Sequence, residues 1–153
     1  MAAHDLAAFA LRIGVGSTFA FAGLEKVVRG PAFVVPYFSS LGIPWPDVTG
    51  PLIGAFELVG GVALVLGILA RWLAAAFVAE MVVAVLVARL PEAAGAGGVV
   101  EAFTVVRVEL LLVLSSTAIS VLGAGRMTVG HVIVALMSRQ RRGSDGPSDP
   151  AHP

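Results

Sequence analysis

Apolar residues in this chain fall into four long runs, and the charged positions inside those runs are few enough to name one by one. The first run, Leu6 to Val28, carries Arg12 near its start and Glu25-Lys26 near its end. The second, Pro51 to Ala70, is apolar or glycine throughout except for Glu57. The third lies between Arg71 and Arg89 and holds Glu80 at its centre, and the fourth, from Glu101 to Leu122, brings in Arg107 and Glu109. A helix rises ~1.5 Å per residue, so about twenty residues reach ~30 Å, the thickness of the hydrocarbon core of a bilayer. The pattern predicts four membrane-spanning helices, over residues 6–28, 51–70, 72–90 and 101–122. The fold class that follows is an all-α integral membrane four-helix bundle occupying residues 1–126, with a short interfacial helix after it.

The connections read differently from one another. Residues 29–50, with four prolines and four aromatics, are broken too often to span. Within them Ala32 to Ser40 suits a short amphipathic helix or a re-entrant piece, and the stretch is either a plain interfacial loop or a lid over a pocket, with Tyr37 and Trp45 at headgroup level. Arg71 closes the second span and the third begins at once, which predicts a tight antiparallel hairpin. Pro91 and the glycines at 95, 97 and 98 predict a flexible loop over residues 90–100. Apolar residues at 129, 132, 133, 136 and 137 repeat with helical period but too briefly to span. Residues 127–142 therefore read as a basic interfacial helix, with Thr128 as N-cap, and residues 143–153 as a disordered tail.

Composition agrees: the chain is 58% hydrophobic and 13% charged, with a mean hydropathy of +0.94. The formal net charge is zero and the basic residues are scattered, which excludes nucleic acid as a partner. The absence of cysteine excludes a disulfide framework, a thiolate metal site and a dithiol redox pair within the chain. His4, His131 and His152 share no turn with another possible ligand, so no metal site and no covalent cofactor are expected. Four spans put both termini on one side. That side collects Arg71, Arg126, Arg139, Arg141 and Arg142 against Lys26, Arg29 and Arg89 on the other, which predicts cytoplasmic termini in the inner membrane.

An ionised side chain at the bilayer centre costs about 2.5–3.5 kcal/mol even on a lenient insertion scale, so each of these charges calls for a role. Arg12, Gly16, Phe19, Gly23 and Lys26 fall on one helical stripe, and the neighbours of Glu57 at helical spacing are Gly54, Gly60 and Gly61. Faces bare of bulk let helices approach closely and bring partner groups together. Counted from the span ends, Lys26, Glu57, Arg107 and Glu109 share one leaflet, ~10 Å or less below its boundary, with Arg12 toward the other side. Glu80 lies near the midplane and is expected either to carry a proton or to pair with a base from another helix. Arg107 and Glu109 point nearly oppositely, so one of them faces the bundle and the other snorkels. The candidate site residues are thus Arg12, Lys26, Glu57, Glu80, Arg107 and Glu109, with Tyr37 and Trp45 at the mouth. They form a ligand site, a proton path, or a structural ion-pair network of Lys26 with Glu57 and Glu109.

With these residues placed, the chain resembles the DoxX family of small four-helix membrane proteins over residues 8–130. The resemblance rests on LRIGVGSTFAFAGLEKV, LGIPWP, FELVGGVALVLGILAR and GAGRMTVG, in that order. It departs at Thr128 and Gly130, where the family pattern has Ser and Asp, and at Arg89, near where many members have a His. The resemblance implies a redox-associated membrane subunit, related to the membrane subunits of quinone-linked oxidoreductases. On that reading a quinone-like amphiphile binds among the charges. Lys26 or Arg107 donates a hydrogen bond, Glu57 or Glu109 passes a proton, and Phe19, Phe56, Tyr37 and Trp45 line the mouth. A peripheral or membrane redox enzyme docks as partner. No nucleophile–base pair or phosphate loop is present, so the chain is not a self-sufficient enzyme. A non-catalytic scaffold or assembly factor, or a small permease, is the alternative, and the pattern neither requires nor excludes an oligomer.

Overall fold

The computed structural model describes residues 3–123 and 125. Helix α1 runs Ala3–Arg29, with Asp5 in its first turn and Lys26 and Arg29 in its last, each charge complementing the helix dipole. Gly30, at φ +71°, turns the chain into α2, Pro31–Ser40, which begins on a proline where the missing N–H costs nothing. Helix α3 is Pro46–Leu66 and α4 is Ala70–Ala84. A π-helical turn over Val85–Arg89 carries α4 directly into α5, Leu90–Ala94. Helix α6, Val99–Leu122, follows Gly98 and ends at Gly123, φ +83°. Among the described residues there is no strand.

Among the described residues four helical segments are long and apolar enough to cross a membrane: Ala3–Arg29, Pro46–Leu66, Ala70–Ala94 and Val99–Leu122. The all-α membrane bundle read from the sequence is what the chain adopts, and the short helix expected at 32–40 is α2. Three boundaries differ. The second span starts five residues before Pro51 and ends at Leu66, because Gly67, at φ +77°, receives the end of α3 and donates its N–H to the Ala63 and Leu64 carbonyls. The apolar run through Ala70 had concealed that turn. The loop expected from residue 90 begins later, since Leu90 N–H bonds to the Val85 carbonyl and the widened turn delivers Pro91 into the first turn of α5. The segments read as an interfacial helix and a tail, 127–142 and 143–153, lie outside the described residues.

Packing divides the bundle into two antiparallel pairs, α1 with α3 and α4 with α6. Small residues close the first pair. A Cβ added to Gly16 would stand 2.8 Å from the Gly61 carbonyl oxygen, and one added to Gly23 would stand 2.6 Å from that of Gly54. The second pair is fixed at one end by Arg71, whose guanidinium donates to the Ser120 (3.2 Å) and Val121 (2.7 Å) carbonyls left open by the end of α6. Between the pairs, the Phe19 and Phe77 rings stack at 3.8 Å, surrounded by Val15, Leu64, Ala70, Ala74 and Ile119. Large apolar side chains such as Phe21, Val59, Trp72 and Leu114 point outward. In water such a surface would be a liability, whereas in lipid it is the solvent-facing one. The chain is a multi-pass membrane protein.

Candidate functional site

Lys26 and Glu57 meet. Lys26 sits three residues past Gly23, Glu57 three residues past Gly54, and the close approach of those two glycines brings the side chains together at 2.5 Å between Nζ and Oε2. Glu57 is 4% exposed, so the ammonium of Lys26 offsets a carboxylate withdrawn from solvent. Glu80, from α4, comes within hydrogen-bonding reach of the Glu57 carboxyl and lies in the field of Lys26. Of the two expectations for Glu80, a proton or a base from another helix, the geometry favours the first: Lys26 is paired with Glu57, and Glu80 meets a second carboxyl, a contact that requires a proton between them. Three helices contribute one charged group each, and one cation faces two carboxyl groups.

These groups lie in the wall of a cavity of about 470 Å³. Tyr37, Phe38, Leu41 and Ile43 cover it from α2 and the turn after it, Ile53 and Phe56 line it from α3, and Ala79, Met81, Val83 and Ala84 line it from α4. The space exists because α3 and α4, though consecutive, touch only briefly along their length. The hairpin at Gly67–Leu69 holds them at one end, and they part toward the other. Helix α2 is held over the opening by Val34, whose Cγ1 occupies the notch left by Gly50. Ala79, Val83 and Tyr37 are exposed, so the cavity is open on the outward side of the bundle, between α3 and α4.

Glu109 does not join this group. It is buried (8% exposed) and takes a 2.6 Å hydrogen bond from Arg89 Nε, while Arg89 Nη1 donates to Glu92 at 3.0 Å. The network expected between Lys26, Glu57 and Glu109 is thus two separate pairings: equal depth along alternating helices did not mean the same side of the bundle. The second Glu109 oxygen, Oε2, is buried without a hydrogen-bond partner. Of the opposed residues on α6, Glu109 faces inward and Arg107 outward, so Arg107 is away from the cavity. Arg12 is fully buried at the opposite end of α1, with its guanidinium carbon 5.8 Å from the Phe9 ring centre. Trp45 is 79% exposed and is not part of this cavity's wall; it starts α3 in a left-handed conformation, at φ +50°. Phe19 is core, stacked on Phe77, whereas Tyr37 and Phe56 do line the cavity.

Sequence reasoning missed Arg89 as the partner of Glu109, having read it as a charge bracketing the end of the third span. The signal was Glu92, one turn further on, which implied that the helix continued. It also missed Phe38, Ile43 and Met81, whose place in the wall follows only from how α2 folds back. Among the described residues no cluster of three potential metal ligands occurs.

The DoxX family model matches residues 7–90, a range that includes Lys26, Glu57, Glu80 and the whole cavity lining. The GAGRMTVG stretch lies beyond it. No curated protein and no solved structure matches the chain.

Proposed function

The chain belongs to the DoxX family, and from that premise we propose that it is a redox-associated membrane subunit whose cavity between α2, α3 and α4 holds a quinone-like amphiphile. The observation that carries the reading is the cavity itself, about 470 Å³ of apolar and aromatic wall with its charged groups confined to Lys26, Glu57 and Glu80. Small-molecule sites run to about 300–1,000 Å³ and combine mostly apolar walls with a few convergent polar groups. A flat aromatic head fits between Tyr37, Phe38 and Phe56, with its oxygens toward the charges. An isoprenoid or alkyl tail leaves between α3 and α4 into the acyl chains. Lys26 supplies ammonium donors, and the paired carboxyls hold or pass a proton. The chain has no cysteine, so thiol-derived electrons would come from a partner oxidoreductase docked at the membrane surface. We place the termini in the cytoplasm, with the chain in the inner membrane.

The test is saturable binding of a decyl-tailed benzoquinone to the full chain in lipid nanodiscs, compared with an Ala84→Trp variant that fills the cavity. The expected result is binding by the unmodified chain and its loss in the variant, with the unfolding curve unchanged. Absence of saturable binding to the unmodified chain overturns the reading.

A further inference from the structure

Resting on that reading, we propose that the cavity selects a head group that donates hydrogen bonds, the reduced quinol or a related phenol, over the carbonyl-bearing quinone. The argument is a count of donors and acceptors. Glu57 and Glu80 bring four carboxyl oxygens to the cavity; the two carboxyls lie within hydrogen-bonding reach of each other, so one proton sits between them and the other oxygens are acceptors only, each taking up to two bonds. Against them stand the three N–H groups of Lys26, one already committed to Glu57 at 2.5 Å, and the single hydroxyl of Tyr37. The rest of the lining, Phe38, Leu41, Ile43, Ile53, Phe56, Ala79 and the remaining α4 residues, has no side-chain group that donates. The surplus is on the acceptor side.

One acceptor is visibly left over. Glu80 Oε2 is enclosed and has no hydrogen-bond partner, although its residue lines the cavity. An unmet acceptor withdrawn from water is costly, and a ligand O–H removes that cost whereas a ligand carbonyl adds to it. The terminal torsion of a glutamate is broad, so either oxygen of Glu80 can turn to the cavity with little strain. A quinol therefore satisfies Glu80 with one hydroxyl, whereas a quinone, which carries acceptors alone, takes a free N–H of Lys26 and leaves Glu80 as it is.

The experiment measures the affinities of a decyl-tailed benzoquinone and of its two-electron-reduced quinol, under argon, for the full chain in nanodiscs. The expected result is quinol binding tighter by about tenfold, the effect of one well-placed hydrogen bond to a buried acceptor. For a two-electron couple this raises the midpoint potential of the bound pair by about 30 mV over the free pair. In Glu80→Gln the preference should fall to near unity while the quinone affinity is retained; Glu80→Leu replaces it if the glutamine variant does not fold. Equal affinities, or tighter quinone binding, overturn the inference and leave the quinone-like reading standing. Binding of neither form overturns both. A preference that persists in the Glu80 variant removes Glu80 from the role.

Discussion

Substituting Gly23 by alanine puts a single methyl group against the backbone of a facing helix, and its consequence follows from the geometry. The added Cβ would stand 2.6 Å from the Gly54 carbonyl oxygen and 2.8 Å from Leu58 Cα. Backbone atoms have no rotamer to yield, so α1 and α3 must separate. Overpacking of a tight contact costs about 1–3 kcal/mol, and a backbone clash belongs at the upper end. Alanine in place of glycine within a helix returns about 1 kcal/mol. The expected net loss is about 2 kcal/mol. Gly14 on the same helix is the internal control, because an added Cβ there meets nothing within 4 Å. Gly14→Ala should leave the bundle as stable as the unmodified chain or up to about 1 kcal/mol more stable. Equilibrium unfolding in mixed micelles, followed by circular dichroism, reads both. A Gly23→Ala chain as stable as the parent, or a Gly14→Ala chain that is less stable, would show that the α1–α3 contact is not as close as described.

Other expectations concern the charged groups. Glu57→Gln leaves Lys26 facing a neutral amide and should destabilise the bundle by about 2–3 kcal/mol, while the double change Lys26→Met, Glu57→Met should recover most of that loss in the same unfolding assay. Arg89→Met strands the buried carboxylate of Glu109 and should cost about 2 kcal/mol, discounted because Arg89 is partly exposed, whereas Arg107→Ala should stay within about 0.5 kcal/mol of the parent. Arg71→Ala removes both side-chain donors to the last carbonyls of α6 and should cost about 1–2 kcal/mol, with faster amide hydrogen exchange confined to the end of that helix.

The four spans were legible because hydrocarbon thickness sets a length that the apolar runs meet. The α1–α3 contact was legible as well, since Gly16, Gly23, Gly54 and Gly61 repeat at helical spacing on both partners. From that stripe the meeting of Lys26 and Glu57 followed. Glu109 went astray for a definable reason: counting residues from a span end gives height, and height says nothing about which neighbour a helix turns toward. Glu80 was placed apart from Glu57 by the same arithmetic, whereas the length of the two side chains brings their carboxyls within hydrogen-bonding reach. The cavity had no sequence signature, because its walls depend on α2 folding back and on Val34 finding Gly50. The Gly67 turn was hidden inside an apolar run, where a glycine reads equally well as a packing residue.

The π-helical turn at Val85–Arg89 acts on direction rather than on length. One residue more than an α turn holds is accommodated there, so everything beyond is rotated by about 100° relative to an unbroken wheel. On an unbroken wheel Arg89, nine residues beyond Glu80, would stand about 180° from it; the offset narrows that angle, so that Arg89 meets Glu109 of α6 while Glu80 faces the cavity beside α3. Deleting one residue from that turn would keep the rod and its ladder of amide bonds, yet it would swing Arg89 and Glu92 away from Glu109, changing what the end of the helix faces without changing the fold around it.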